Sequence, residues 1–167
     1  MKTKIARSVQ AASREPSPAP LLPRVKSILV PLDFSPPSIK ALHYAVAFAR
    51  QFNARLTLVH VVEPVATPDF AASFPLAMDN DKLMAVANHQ LEGVVKAARI
   101  PRGTVEKILV RFGRSFHEIA DAARTRKVDL IIISTHGYTG LKHALLGSTT
   151  ERVVRHAHCP VLVLRQR

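Results

Sequence analysis

The residues of this chain best suited to chemistry are Ser134-Thr135-His136-Gly137 and, nine residues later, Gly147-Ser148-Thr149. They follow an apolar run, Val128-Asp129-Leu130-Ile131-Ile132-Ile133, whose composition is that of a buried strand. They lead into Ser148-Thr149-Thr150-Glu151, where Ser148 is a candidate N-cap and Glu151 stands at capping-box spacing. Small residues thus leave a strand and small residues open a helix. A polyanion can reach bare backbone N–H groups there, at the positive end of a helix dipole. The chemistry expected is a nucleotide-phosphate cradle formed by these small residues, Ser134 to Gly137 and Gly147 to Thr149. His136 lies inside it, either donating to a phosphate or packed beneath the loop. Lys142 and His143 lie between the glycines, as phosphate contacts or as ordinary solvated loop residues.

Other chemistries are excluded by what is missing. No Gly-x₄-Gly-Lys-Ser/Thr occurs, so the P-loop arrangement with its lysine on the phosphates is not available. No Gly-x-Gly-x₂-Gly dinucleotide fingerprint occurs either. Cys159 is the single cysteine, which rules out an internal disulfide and Cys-x₂-Cys metal chemistry. No Ser–His–Asp or Cys–His set can be assembled from the eight histidines, and no metal site is expected. His60 ends an apolar strand and fits a satisfied core histidine; His156 and His158 fit a helix end, where cations suit the dipole. Without a nameable general base or arginine finger, any nucleotide hydrolysis is expected to be slow.

The 167 residues suffice for one domain with a substantial core, and a 47% apolar fraction is ordinary for a globular protein. The net charge of +12 is spread out, without a run of five or six like charges. Lys2, Lys4, Arg7, Arg14 and Arg24 against Glu15 give residues 1–24 a balance of +4, which leaves +8 for the rest. Aromatic residues are 5% and form no base-stacking motif, so no specific nucleic-acid partner is expected. Residues 1–24 hold Pro16, Pro18, Pro20 and Pro23 without apolar periodicity, so they are expected to form a disordered tail ahead of a domain at 25–167. No apolar run approaches the roughly 20 residues of a membrane span, and the cysteine usage fits a reducing cytoplasm.

Positioning the cradle requires alternating strands and helices. Strands are expected at Lys26–Val30, Arg55–Val62, Val105–Val110, Val128–Ile133 and Pro160–Leu164. Ser35, with Pro36 at the first helical position, opens a helix striped by Ile39, Leu42, Val46 and Ala49. Asp79 or Asn80 caps the next helix, Ser115 with Glu118 a third, and Ser148 a fourth. Strands separated by helices imply crossover connections, hence a parallel sheet with both faces covered. In such sheets a ligand sits beyond the carboxyl ends of the strands.

The stretches Ile28-Leu29-Val30-Pro31-Leu32-Asp33-Phe34-Ser35, Leu58-Val59-His60-Val61 and Ser134–Val163 together resemble the universal stress protein family, over about Val25–Arg165. The resemblance implies a single-domain, Rossmann-like α/β fold: a five-stranded parallel sheet of order 3-2-1-4-5 with helices on both faces. It also implies a homodimer made through the last strand, Val161–Leu164. Nucleotide-binding members carry Gly-x₂-Gly-x₉-Gly-Ser/Thr after the fourth strand; here Ser134 replaces the first glycine, while Gly137, Gly147 and Ser148 match. Serine suits that position if its φ is negative, but not if the turn needs a positive one. Carried over residue by residue, Asp33 meets the adenosine portion, Pro31 and Leu32 shape that wall, Val61 offers backbone groups to the adenine edge, and Gly137, Gly147, Ser148 and Thr149 surround the phosphates. Asp33 equally fits a helix-entry residue paired with local backbone, and Val61 a core strand residue. The function implied is a stress-response module that binds ATP, with Mg²⁺ only as the nucleotide's companion. The alternative is a non-nucleotide-binding interaction dimer of the same family.

Overall fold

The computed structural model describes residues 24–64, 80–135 and 147–165. The elements in chain order are β1 (Ser27–Pro31), α1 (Pro36–Phe52), β2 (Arg55–Val62), α2 (Asn80–Ala97), β3 (Val105–Phe112), α3 (Ser115–Thr125), β4 (Leu130–Ser134), α4 (Ser148–His156) and β5 (Val161–Leu164). All sheet pairings are parallel and the order is β3-β2-β1-β4-β5, as the resemblance implies. The expected basic tail at residues 1–24 falls outside the described residues except for Arg24, and so does Asp79.

Uninterrupted apolar runs in the central strands reflect burial on both faces. On one face Ile28, Val30, Leu56, Leu58 and Ile132 pack with Leu42, Ala45 and Ala49 of α1 and Leu91 of α2. On the other, Leu29, Val59, Ile131 and Ile133 meet Ile119, Ala122 and Ala123 of α3 and Val153 of α4. Each such leucine or isoleucine removed from water contributes about 1.5–3 kcal/mol. These two layers fix the helices against the sheet and therefore fix where their N-termini emerge.

The first helix starts where Ser35 and Pro36 indicate. Ser35 is its extended N-cap and accepts from the Ser38 N–H, with proline in the first turn. The two later caps differ from expectation by one residue. The N-cap of α3 is Arg114 and that of α4 is Gly147, and neither makes a side-chain cap bond. Ser115 and Ser148 are instead first helical residues, so neither capping box forms. Glu118 turns to Arg111 at 3.3 Å and Glu151 to Arg155 at 2.8 Å, each finding a cation rather than a backbone amide.

The fourth strand also begins two residues later than its apolar run suggests. Val128 N–H closes the end of α3 on the Ala123 carbonyl, just after Lys127 turns left-handed at φ 50°. The Asp129 carboxylate accepts from the N–H groups of Lys26 and Ser27 at 2.8 and 2.9 Å. Asp129 thereby ties the entrance of β4 to that of β1 and sets the central strands level. The strands at the other boundaries differ by one or two residues: β1 includes Pro31, β3 continues to Phe112, and β5 starts after Pro160.

Candidate functional site

A cleft of about 270 Å³ opens beyond the carboxyl ends of β1, β2 and β4. Pro31, Leu32, Asp33, Val61, Ser134, Gly147, Ser148 and Thr149 all line it. Those are the sequence-derived candidates within the described residues; His136 and Gly137, with Lys142 and His143, lie outside them. Residues more than 100 positions apart thus share one concavity because the sheet order sets β1 between β2 and β4.

The loop after β1 is held tightly. Leu32 N–H continues the β1–β2 ladder by donating to the Val59 carbonyl at 2.8 Å. The Asp33 carboxylate accepts from both the N–H and the hydroxyl of Ser35, at 3.1 and 2.5 Å. Asp33 therefore makes the local helix-entry contacts and also faces the cleft. Phe34 between them adopts a left-handed backbone, φ 64°, a conformation costing a non-glycine residue about 1–2 kcal/mol. Its ring lies 4.4 Å from that of His60, a contact that helps hold the loop in place. His60 donates from Nδ1 to the Leu32 carbonyl at 2.7 Å; since a carbonyl only accepts, Nδ1 carries the proton.

The phosphate side of the cleft is made by β4 and α4. Ser134 is the last residue of β4, buried and in register with Leu164. Left-handed non-glycine positions among the described residues are Phe34, Asn53, Arg99 and Lys127, so Ser134 is not one of them. A serine is conformationally at ease there. Thr150 hydroxyl donates to the Ser134 carbonyl at 2.8 Å, and Gly147 N–H to the Thr135 carbonyl at 2.7 Å. Both bonds anchor the start of α4 to the end of β4. Gly147 is the N-cap of α4 and offers no side chain, so it makes no side-chain cap bond to the amides of the first turn.

The opposite wall contains groups that sequence reasoning missed. Glu63, just after β2, accepts the Ser115 N–H on Oε1 at 2.7 Å and lines the cleft with Ser115 and Ile119. The Ser115 side chain and backbone together hold the Glu63 carboxyl below its ordinary range, outweighing a small opposing effect of burial. His60, Ser38 and Thr150 also contribute to the lining. Cys159 stays outside it; burial and then the Asp129 charge push its thiol pKa up, away from thiolate chemistry. Among the described residues no three His, Cys, Asp or Glu side chains come together as a metal site.

The family model described as the universal stress protein family matches residues 24–165. The chain belongs to the universal stress protein family. Universal stress protein MJ0531 of Methanocaldococcus jannaschii is 33% identical over 141 residues, spanning 84% of this chain and 82% of that protein. Among solved structures, UspA from Lactobacillus plantarum aligns with a TM-score of 0.73 at 29% identity, covering 86% of this chain and 100% of its own. MJ0577, also from M. jannaschii, aligns with a TM-score of 0.73 at 32% identity, covering 86% and 98%. Universal stress proteins solved in complex with cAMP, and with dAMP from Archaeoglobus fulgidus, share the fold at 21% and 20% identity. No helix among the described residues is long and apolar enough to cross a membrane.

Proposed function

We propose that this universal stress protein binds an adenine nucleotide, ATP foremost, in the cleft beyond β1, β2 and β4. The observation that carries the reading is the convergence of Asp33, Val61, Ser134, Gly147, Ser148 and Thr149 on one concavity. At about 270 Å³ it lies near the lower end of small-molecule sites, roughly 300–1,000 Å³. The donor set fits an anion: the amides at the start of α4, behind a glycine N-cap, with Ser148 and Thr149 beside them. In this reading Asp33 and the backbone of Val61 meet the nucleoside. Mg²⁺ enters this reading only with the phosphates. Universal stress proteins solved in complex with cAMP and with dAMP share this fold, which supports the reading.

The protein then acts as a homodimeric stress-response regulator in the cytoplasm, through conformation and partners rather than turnover. The four apolar residues of β5 are only half-buried at the sheet edge, which suits pairing with a second copy. Sedimentation velocity at micromolar concentration should give twice the 18.4 kDa chain mass. Multiple-turnover phosphate release should be slow. One observation favours the alternative of an interaction dimer without ligand: the described cleft lining holds the carboxylates of Asp33 and Glu63 and no lysine or arginine. Denaturing the purified protein and chromatographing what it releases separates the two. Adenine nucleotide released in stoichiometric amount supports the binding module; protein free of nucleotide that also ignores added ATP supports the scaffold.

A further inference from the structure

Two helices open their N-termini on the cleft, and the chain treats them differently. The first amide of α3, that of Ser115, is taken by the Glu63 carboxylate at 2.7 Å. At α4 the N-cap is Gly147, which has no side chain with which to cap the amides. The α3 end therefore carries a carboxylate, in addition to that of Asp33 in the loop after β1, while the α4 end presents neutral donors. Glu63 reaches Ser115 across 52 positions of sequence because β2 and β3 are neighbours, and their ends bring the segment after β2 beside the turn into α3.

We propose that Glu63 is a specificity-determining residue of this cleft: held by Ser115, its carboxylate sets the ligand's polarity and accepts a hydrogen bond from the exocyclic amino group of an adenine-class base. The inference rests on the adenine-nucleotide reading and adds to it. A fixed negative charge at the α3 end repels phosphates, which leaves the α4 end for them and the α3 end for the base. A carboxylate offers about four acceptor positions, and Ser115 supplies at most an N–H and an O–H. Capacity remains for a donor from the ligand. The anchoring donors keep Glu63 ionised at neutral pH, so the bond is charge-assisted. A 6-amino group meets that carboxylate with a proton; a 6-oxo group meets it with a lone pair; an unsubstituted purine meets it with neither.

The test is calorimetric titration of the full chain with ATP, purine riboside 5′-triphosphate and ITP, which share sugar and phosphates. The wild type should bind ATP about tenfold or more tightly than either analogue, the usual effect of one charge-assisted bond. Glu63→Ala should reduce that preference to less than about twofold, with circular dichroism confirming the fold. Glu63→Gln, which keeps an acceptor oxygen without the charge, should retain part of the preference over the unsubstituted purine. Equal wild-type affinities for all three ligands overturn the proposal, whether or not the alanine variant folds. So does a folded Glu63→Ala with the preference intact. A wild type that binds none of the three fails earlier, at the nucleotide reading itself.

Discussion

The hydroxyl of Thr150 donates to the carbonyl of Ser134 at 2.8 Å, and both residues are buried. This bond joins the first turn of α4 to the last residue of β4. It fixes the distance between the strand end and the amides that open on the cleft. A shift of α4 by a fraction of a turn would carry Ser148 and Thr149 away from the concavity.

Thr150→Val keeps the shape of the side chain and removes the donor. Unfolding in urea should show a loss of about 1–2 kcal/mol, the cost of one buried hydrogen bond. ATP affinity should fall as well, because the α4 amides are no longer held in place. A variant as stable as wild type would mean that packing around Val153 alone positions the helix.

Ser134 occupies the place of a glycine in the family pattern, yet its backbone is extended and its position in β4 is regular. Ser134→Gly should therefore leave ATP affinity within about threefold and lower stability by about 0.5–1 kcal/mol, since glycine gives the unfolded chain more freedom. Ser134→Lys projects a long side chain from a cleft-lining position and should block binding. Affinity rising tenfold or more in Ser134→Gly would show that the hydroxyl obstructs the ligand.

Much of this arrangement is visible in the sequence, and the parts that are not share a cause. Strands buried on both faces announce themselves as apolar runs, which is why β1, β4 and β5 are found to within one or two residues. The start of α1 is legible because Ser35 and Pro36 act locally. The starts of α3 and α4 are misplaced by one residue, since a serine three residues before a glutamate satisfies the capping-box spacing equally well at the first helical position. What decides is tertiary: Arg111 draws Glu118 away, and a glycine serves as N-cap of α4. Glu63 carries no signal at all in the sequence, because its partner lies 52 residues away and is brought near only by sheet order. His60 was legible as a satisfied histidine, but not as a wall of the cleft.

Glu63 also makes stability depend on pH, with a definite sign. Its carboxyl titrates below the ordinary value of 4.5 in the folded protein, so the unfolded chain binds that proton more readily. The Ser115 contact thus contributes fully above about pH 4.5 and is lost as pH falls through the lowered folded value. Asp121, held down by Arg124 and then Arg111, acts in the same direction. Glu63→Gln should leave the Asp121 part intact and shrink the acid-side loss. Urea titrations between pH 7 and pH 3 check this: the stability difference between wild type and variant should narrow towards the acid end.

Gly113 precedes α3 with φ 147°, and a Cβ there would meet Glu118 Oε1 at 3.0 Å. Gly113→Ala should cost about 1–3 kcal/mol, from left-handed strain and the displaced glutamate. Thermal melts compared with Gly93→Ala, a helical glycine whose added Cβ has nothing within 4 Å, give the control. Similar melting temperatures for the two variants would show that the turn into α3 relaxes freely.

Calorimetric titration of ATP into wild type and Gly147→Lys tests most directly whether the amides at the start of α4 hold a nucleotide's phosphates. The expected result is saturable one-to-one binding in the wild type and none in the variant, with both proteins sedimenting alike. Undiminished affinity in Gly147→Lys, or no heat from the wild type at any ATP concentration up to millimolar, would contradict it.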